Sequence, residues 1–353
     1  MLYLCDLFQS ELEEAFKGFG EKPYRARQLV QWVYKKREMD LEQMTDLPEP
    51  LRKKLQELPL KMASMKLVDK KDSGENKATK YLFELEDKNL IETVLLKVPS
   101  RKTLCISTQV GCPIDCRFCA SGKDGVIRNL QVHEIVEQVL QVNRDLYPDD
   151  KIQNIVVMGM GEPFLNYERM MKALRILNAD WGMQIGARHI TVSTSGILPG
   201  IKRFAKEPES FQLAVSLHAA IDTKRSAIMP INEKYPLADL KASLKEYLNH
   251  KNKQITFEYI LLAGVNDQPE DVTALREFVR DLPVKINLIP YNPVEGASFK
   301  TPSVESQRSF YQSLMDQAIF STLRETKGSD IDAACGQLRL RKKPVSVDIE
   351  RVL

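Results

Sequence analysis

Short apolar runs alternate with amphipathic stretches along most of the chain after residue 100. Runs rich in Ile, Val and Leu are typical of buried parallel strands, and here they lie at Leu104–Gln109, Ile155–Met158, His189–Ser193, Gln212–Ser216, Ile255–Ile260 and Ile286–Ile289. Apolar residues at helical spacing predict helices between these runs, near residues 132–146, 167–178, 198–206, 237–249 and 269–281.

Strands that alternate with helices in this way predict a parallel sheet with right-handed crossovers. Six strand–helix units are too few to close an eight-stranded barrel. We therefore expect an α/β fold built on a partial, split TIM-like (βα)6 barrel, with its chemistry at the C-terminal ends of the strands.

The first sixty residues have a helical pattern instead. Apolar residues recur at helical spacing from Leu12 to Phe16 and from Ala26 to Val33, and Pro23 suits the first position of a helix. Two prolines within Met44–Leu51 predict a break in the helices. This small helical domain either packs against the barrel or docks RNA, and the pattern does not distinguish these roles.

Between residues 64 and 98 the hydrophobic period changes to two, which predicts strands at Met65–Val68, Thr79–Leu85 and Leu90–Val98. On the third strand Glu92 shares a face with apolar residues. It is either an edge-strand carboxylate that faces water or a buried one, whose raised pKa would suit proton transfer. We divide the chain into a helical domain at 1–60, a β extension at 61–100, a barrel at 101–330 and a C-terminal segment at 331–353.

Composition narrows the function only slightly. The 353 residues carry a formal net charge of +3, too little to identify a nucleic-acid-binding protein. The basic clusters Lys35–Arg37, Arg52–Lys54 and Arg339–Lys343 fit either solvated faces or RNA contacts. No apolar run approaches the roughly 18 residues of a membrane span, and the first residues do not resemble a signal peptide. We expect a cytoplasmic protein with reduced thiols and no membrane contact.

A cysteine-rich loop is the strongest chemical signal. Cys112, Cys116 and Cys119 form a C-x3-C-x2-C array with the aromatic Phe118 beside the last cysteine. Three thiolates on one loop can hold three irons of a [4Fe-4S] cluster and leave the fourth iron open to a small molecule. A structural zinc site is the alternative, but it needs a fourth ligand, and Cys105 lies seven residues upstream.

Glycine and polar residues follow four of the predicted strands. Together these strand ends predict a ligand site on one rim of the barrel, with Gly161, Glu162, Ser193, Ser216, Leu217, His218 and Asn292 as its candidate residues. Near the C-terminus, small residues flank Cys335 after the strand-like segment Phe320–Thr326. Cys335 is therefore either inert packing or a sulfur that a large partner can approach, whereas Cys5 is expected to be inert.

Several longer motifs occur in one order along the chain, and together they closely resemble the RlmN family of radical S-adenosylmethionine (SAM) methyltransferases. They are Gln109-Val-Gly-Cys, Cys116-Arg-Phe-Cys-Ala-Ser-Gly, Arg128-Asn-Leu, Gly159-Met-Gly-Glu-Pro, Ser193-Thr-Ser-Gly, Ser216-Leu-His-Ala, Met229-Pro-Ile-Asn, Gly264-Val-Asn-Asp, Asn287-Leu-Ile-Pro-Tyr-Asn-Pro and Asp330-Ile-Asp-Ala-Ala-Cys-Gly-Gln-Leu. The resemblance implies a radical SAM barrel that methylates carbon 2 of an adenine in 23S ribosomal RNA, at the peptidyl transferase centre, and in transfer RNA, at adenine 37. It also implies a [4Fe-4S] cluster held by Cys112, Cys116 and Cys119, and two SAM molecules per turnover.

The resemblance also implies the catalytic residues. Carbon 2 of adenine has no lone pair and no acidic hydrogen, so a radical route is needed. In the family's scheme Cys335 accepts a methyl group, loses a hydrogen atom from it and adds to the base. Cys105 then forms a disulfide with Cys335 and frees the product. Glu92 matches the family's proton acceptor, although the Cys105 thiolate is an alternative. An electron donor such as flavodoxin or ferredoxin, and a monomeric enzyme, are implied as well.

Other functions stay open on the sequence. The related Cfr enzymes methylate carbon 8 and confer antibiotic resistance, but they differ at the positions of Val110, Pro163 and Pro290, and all three residues here favour carbon 2. A zinc-dependent RNA-binding module and a radical enzyme acting on a small molecule or a protein glycyl site are the remaining alternatives. The pairing of Cys105 with Cys335 argues against the last, because simple hydrogen abstraction needs neither thiol.

Overall fold

The structure is a computed structural model that describes residues 1–74 and 76–339. The final strand or helix predicted for the tail, and the basic stretch after Arg339, lie outside the described residues. The strands are β1 (Leu2–Tyr3), β2 (Leu60–Lys61), β3 (Lys66–Asp72), β4 (Ala78–Glu84), β5 (Leu90–Val98), β6 (Arg101–Cys105), β7 (Gln109–Gly111), β8 (Val126–Asn129), β9 (Asn154–Val157), β10 (Ile190–Thr194), β11 (Gln212–Ser216), β12 (Ile255–Leu261), β13 (Val284–Pro290) and β14 (Ser321–Leu323).

The helices lie close to their predicted positions in the barrel, and further ones occur elsewhere. They are α1 (Gln9–Gly18), α2 (Pro23–Tyr34), α3 (Glu49–Glu57), α4 (Val132–Asp145), α5 (Tyr167–Asn178), α6 (Leu198–Ala205), α7 (Asp222–Ile228), α8 (Ile231–Lys234), α9 (Leu237–His250), α10 (Pro269–Val279) and α11 (Val304–Asp316). Among the described residues, none of these helices is both long and apolar enough to cross a lipid bilayer.

Ten strands form one continuous sheet in the order β14-β13-β12-β11-β10-β9-β6-β5-β4-β3. The strands from β14 to β6 are parallel, and the two edge strands, β14 and β3, do not pair with each other. The barrel is therefore open, which confirms the split-barrel prediction. In the described part of the chain β14 adds a seventh parallel strand to the six units that the apolar pattern predicted.

The β extension is continuous with the barrel sheet. Strands β3, β4 and β5 are antiparallel to one another, and β5 pairs with β6 so that Val94 lies opposite Cys105. Because β4 and β6 flank β5 on both sides, Glu92 is 4% exposed. The alternative of a water-facing glutamate at a sheet edge is wrong.

The predicted strand Leu104–Gln109 is wrong in its boundaries, because β6 ends at Cys105. Beyond it, Ser107 leaves the strand pattern: its backbone N–H donates to Gln138 Oε1 at 2.8 Å, and its Oγ donates to the Glu92 carbonyl at 2.7 Å. The chain then enters the short hairpin β7–β8, which holds the cysteine loop between its strands. Side-chain hydrogen bonds of this kind cannot be read from an apolar pattern.

The helical N-terminal domain packs against the outer face of the barrel. The rings of Phe8 and Tyr34 contact Trp181 edge-on. Helix α2 begins at Pro23, as predicted, and α3 begins inside the predicted break because Pro50 lies in its first turn. These contacts make the N-terminal domain part of the same hydrophobic core as the barrel.

Two residues of the first basic cluster hold this domain to the barrel. Lys35 Nζ donates to the Asp180 carbonyl at 2.7 Å, and Arg37 Nη1 donates to the carbonyls of Asn143 and Asp150 at 3.0 and 2.7 Å. Both cations therefore have a packing role.

Candidate active site

An open cavity lies at the C-terminal ends of the parallel strands. Its lining brings together nine residues predicted from the sequence: Cys112, Cys116, Cys119, Gly161, Glu162, Ser193, Ser216, His218 and Cys335. The lining residues come from the cysteine loop, from strands β9 to β14 or the turns after them, and from the segment around Cys335. The predicted Leu217, Asn292, Cys105 and Glu92 do not line it.

Backbone hydrogen bonds fix the cysteine loop at both ends. Cys112 N–H donates to the Gly125 carbonyl at 2.9 Å, and Cys119 N–H donates to the Cys116 carbonyl at 2.9 Å. Gly111 has φ +79°, and a Cβ there would overlap the Gly125 carbonyl oxygen. Only glycine fits this close approach, so the loop starts at a position set by the hairpin.

The three loop cysteines fit an iron–sulfur cluster better than a single metal ion. Burial raises the pKa of each thiol, and the pKa of Cys116 is raised further by Cys119 and Cys112, so the thiols are close neighbours. Within residues 1–74 and 76–339, no three His, Cys, Asp or Glu side chains converge closely enough to bind one ion. A [4Fe-4S] cluster binds each cysteine through a different iron, and a coordinating thiol is deprotonated by the metal whatever its intrinsic pKa.

Glu162 is held rigidly on the opposite wall. Its Oε2 accepts hydrogen bonds from Ser195 N–H and Ser195 Oγ at 2.7 and 2.8 Å, and its Oε1 accepts from Phe164 N–H at 3.1 Å. Burial raises its pKa, whereas these hydrogen bonds lower it. A carboxylate offers about four acceptor sites, and Oε2 already uses two of them, so Oε1 is the oxygen of Glu162 with room to accept from an ammonium group in the cavity.

The turn after β11 contributes backbone groups and the imidazole of His218 to the cavity. His218 has φ +56°, and its Nδ1 accepts a hydrogen bond from Ile260 N–H at 3.0 Å. The proton of the neutral ring is therefore on Nε2. Burial lowers the pKa of His218 to about 3, so the ring is uncharged at neutral pH. Leu217 points into the apolar core and can offer a ligand only its backbone.

The segment around Cys335 closes one side of the cavity. It is attached to the cysteine loop by Ala120 N–H, which donates to the Gly336 carbonyl at 2.7 Å, and by Ser121 Oγ, which donates to the Leu338 carbonyl at 2.7 Å. Cys335 itself is exposed. The Asn292 side chain does not contact the Cys335 sulfur: its Nδ2 donates to the backbone carbonyl of Cys335 at 3.4 Å. Asn292 is therefore placed to hold the Cys335 loop.

Cys105 lies behind this wall, at the end of β6. The pKa of Cys105 is raised to about 12 by burial and by the nearby Cys335. Glu92 lies on the adjacent strand and accepts a hydrogen bond at its Oε2 from Arg339 N–H at 2.9 Å, so it touches the same C-terminal segment. All six cysteines are free thiols in this structure.

Two charged residues of the cavity were not predicted from the sequence. Glu258 is buried on β12, where its Oε1 accepts from Asn287 Nδ2 at 3.0 Å, while its Oε2 has no hydrogen-bond partner among the described residues. Arg324 follows β14, and its Nη1 lies 3.7 Å from that Oε2. Glu258 was detectable by the signal used for Glu92, a lone carboxylate in an apolar strand.

Arg324 gives the cavity a cation beside two nucleophiles. Although Cys335 is accessible from the cavity, desolvation of its thiol by the surrounding protein raises its pKa, and Arg324 opposes that effect. Arg324 likewise lowers the pKa of Cys105. A thiolate is the reactive form of cysteine, so the arrangement combines a cluster-binding loop, a rigid carboxylate and two thiols that share one cation.

Two parts of the chain match known protein families. Residues 2–59 match the ribosomal RNA large subunit methyltransferase N-terminal domain, and residues 106–276 match the radical SAM superfamily. The first match covers the helical domain and the second covers the cysteine loop and most of the barrel.

Relatives extend these matches to nearly the whole chain. The chain is 47% identical over 341 residues to the "Probable dual-specificity RNA methyltransferase RlmN 3" of Opitutus terrae, covering 91% of this chain and 90% of that protein. It is 43% identical to the "Probable dual-specificity RNA methyltransferase RlmN" of Caldanaerobacter subterraneus subsp. tengcongensis, covering 96% and 98%. The crystal structure of a radical SAM methyltransferase from Sphaerobacter thermophilus is 44% identical and has a TM-score of 0.93, covering 96% of this chain and 99% of that one.

Proposed function

This chain belongs to the RlmN family of dual-specificity RNA methyltransferases within the radical SAM superfamily, and from that membership we propose that it methylates carbon 2 of an adenine in RNA. The family and fold predicted from the motifs are confirmed, as are a [4Fe-4S] cluster and SAM as cofactors. The proposed substrates are 23S ribosomal RNA, at the peptidyl transferase centre, and transfer RNA, at adenine 37.

We assign the cluster to Cys112, Cys116 and Cys119, which line one cavity with Glu162 and Ser193. When bound, the cluster supplies the electron that cleaves SAM to methionine and a 5′-deoxyadenosyl radical. Glu162 is the candidate partner for the methionine ammonium, because it is rigid and can accept another hydrogen bond. The backbone from Ser216 to His218, with Gly161, is the candidate surface for the rest of the cofactor.

The observation that carries the proposal is the position of Cys335, an exposed thiol on the wall of the cavity that the three loop cysteines line. The Cys335 thiolate displaces the methyl group from the sulfonium of one SAM, forming a C–S bond and releasing S-adenosylhomocysteine. The S-methyl group then gives a hydrogen atom to the 5′-deoxyadenosyl radical from a second SAM. The remaining thiomethylene radical adds to carbon 2 of the adenine, which a nucleophilic route cannot methylate.

Cys105 and Glu92 complete the reaction in this scheme. The adduct has to give up one electron, for which the oxidised cluster would be the acceptor, and the proton of carbon 2. Glu92 is the candidate acceptor for the proton, because it is buried beside the segment that carries Cys335. The Cys105 thiolate attacks the Cys335 sulfur, which forms the S–S bond and breaks the bond between Cys335 sulfur and the methylene carbon. That carbon leaves with the electron pair and takes up a proton, which gives the methylated base. Arg324 supports this step because its charge lowers the pKa of both thiols.

The substrate base has to leave its stack to reach the cavity, as for other base-modifying enzymes. We propose that the N-terminal helical domain docks the RNA, since its family match is a ribosomal RNA methyltransferase domain. An RNA substrate supports a cytoplasmic enzyme, and we propose that location. We further propose that it acts as a monomer and receives electrons from a flavodoxin or ferredoxin.

The test is an anaerobic assay of reconstituted enzyme on fragments of 23S ribosomal RNA and transfer RNA, followed by mass spectrometry of the modified nucleoside. The expected product is 2-methyladenosine at one position of each RNA. Methylation at carbon 8, or no RNA product from enzyme that cleaves SAM, would overturn the proposal. Cys335→Ala serves as the matched control, because it removes one sulfur and leaves the cluster ligands intact.

A further inference from the structure

Arg225 is a completely buried cation on the short helix α7. Its guanidinium donates four hydrogen bonds to neutral oxygens: to the carbonyls of Leu217 (3.0 Å), Ser195 (2.7 Å) and Ser216 (3.2 Å), and to Asn232 Oδ1 (2.8 Å). In the part of the chain that the structure describes, no carboxylate forms an ion pair with it, and Asp222 acts on it only from a longer distance.

A buried charge without a counter-ion is costly, because hydrogen bonds to neutral groups replace only part of the lost hydration. Burial lowers the pKa of Arg225 to about 10, so the side chain still carries its charge at neutral pH. Among the described residues, the protein therefore retains a positive charge in its interior that no aspartate or glutamate pairs with directly.

Helix α7 places this charge beside the cysteine loop. The Ile228 carbonyl at the end of α7 accepts a hydrogen bond at 3.0 Å from the N–H of Arg117, the residue after Cys116. The Arg225 guanidinium also donates to the carbonyls of Ser195 and Ser216, and both serines line the same cavity as Cys116. Arg225 thus lies beside the cavity that the proposed cluster ligands line.

We propose that Arg225 is the internal counter-ion of the iron–sulfur cluster and makes the cluster easier to reduce. A [4Fe-4S] cluster in its resting state with three thiolates has a net charge of about −1, which becomes about −2 when it accepts one electron. A nearby buried cation stabilises the more negative state and raises the reduction potential. This inference rests on the family's cluster and is independent of the RNA product.

Arg225 also positions the cofactor site. Its Nη2 joins the carbonyls of Ser195 and Ser216, which lie at the ends of neighbouring strands β10 and β11. Ser195 in turn donates two hydrogen bonds to Glu162. A single guanidinium therefore connects the carboxylate proposed to bind SAM with the turn that carries His218.

The test is the reduction potential of the reconstituted cluster, measured by titration with electron paramagnetic resonance in the absence of RNA. At a fixed solution potential, Arg225→Gln should lower the ratio of reduced to oxidised cluster at least tenfold, which corresponds to 59 mV for one electron. Arg225→Met provides a second neutral side chain if the glutamine variant does not fold. Arg225→Lys keeps the charge without the four hydrogen bonds and should stay within tenfold of the wild type.

Arg117→Gln is the matched control, because Arg117 is exposed and water screens its charge although it adjoins Cys116. Its cluster should keep the wild-type potential. Equal potentials in the wild type and both neutral variants would overturn the counter-ion role, and a lysine variant that behaves like glutamine would show that position rather than charge matters. If wild-type enzyme fails to methylate RNA, this comparison still stands, since it measures only the cluster.

Discussion

Glu92 and Lys80 form a buried ion pair beside the segment that carries Cys335. Glu92 Oε1 lies 3.1 Å from Lys80 Nζ, and the two side chains are only 5% and 11% exposed. Lys80 also donates to the Asp332 carbonyl at 3.3 Å, three residues before Cys335. The same cation therefore contacts the proposed proton acceptor and the loop that carries Cys335.

Lys80→Met should destabilise the protein by about 3 kcal/mol, because it removes the side-chain cation that pairs with the buried Glu92. The double variant Lys80→Met/Glu92→Leu should recover a large part of that loss. Urea unfolding of the wild type, both single variants and the double variant gives the coupling free energy. Strictly additive effects would show that the ion pair is not coupled.

Cys105→Ala should allow the enzyme–RNA adduct to form but prevent its release, because no second thiol is available to attack Cys335. Covalent complex should accumulate to about one per enzyme and be seen as a shifted band on denaturing gels. Cys5→Ala is the control, since Cys5 is buried in the N-terminal core, away from the cavity. Free, methylated RNA from the Cys105 variant at the wild-type rate would contradict the resolving role.

Arg324→Gln should slow the reaction of Cys335 with an alkylating reagent. Arg324 lowers the pKa of this thiol, so its loss should shift the pH profile of alkylation to higher pH. At a pH below the pKa, a thiol whose pKa is one unit higher reacts about tenfold more slowly, because less of it is thiolate. Peptide mapping by mass spectrometry follows Cys335 separately from the other cysteines. Arg276→Gln is the control: Arg276 is exposed on α10, and its loss should leave the pH profile unchanged. If Arg324→Gln also left the profile unchanged, Arg324 would not be what lowers the pKa of Cys335.

Glu137 should make the stability depend on pH. It is buried on α4, where it accepts hydrogen bonds from Ser64 and Met65, and burial raises its pKa from 4.5 to about 7. A raised pKa means that the folded state holds its proton more tightly than the unfolded state does. Its stabilising contribution is therefore fully present below pH 4.5 and is lost as the pH rises through 7.

The corresponding measurement compares the free energy of unfolding of wild type and Glu137→Gln between pH 4.5 and 8. A pKa that is one unit higher in the folded state than in the unfolded state corresponds to about 1.4 kcal/mol across this range. The free energy of unfolding of the wild type should fall by about 1.4 kcal/mol for each unit of pKa difference as the pH rises. The free energy of unfolding of Glu137→Gln should not show this fall. Parallel pH dependences would contradict the assignment.

The sequence predicts those parts of the site that depend on residues close together in the chain. The spacing of Cys112, Cys116 and Cys119 fixes a loop with three thiolates, and the apolar strands end at Glu162, Ser193 and Ser216 wherever the sheet places them. Parallel strands bring their C-terminal ends to one rim, so these residues meet. The roles of Cys335, Cys105 and Glu92 came from the family resemblance and remain proposals.

The sequence does not predict the groups whose effect depends on contacts between distant segments. Arg324 acts on Cys105 only because the open barrel and the Cys335 segment bring the end of β14 close to the end of β6. In the sequence, Arg225 resembles any polar residue on a helix. Its burial against Ser195 and Ser216 depends on the pairing of β10 with β11, which the local pattern does not specify. The break at Ser107 likewise depends on Gln138 from α4.

The central claim is that Cys335 carries the methyl group to the RNA, and intact-protein mass spectrometry with isotope-labelled SAM tests it most directly. Wild-type enzyme incubated anaerobically with labelled SAM should carry one labelled methyl group on Cys335, and that label should appear in the adenine after RNA is added. Cys335→Ala should take up no label and form no methylated RNA. Methylated RNA from Cys335→Ala, at a rate near that of the wild type, would contradict the account.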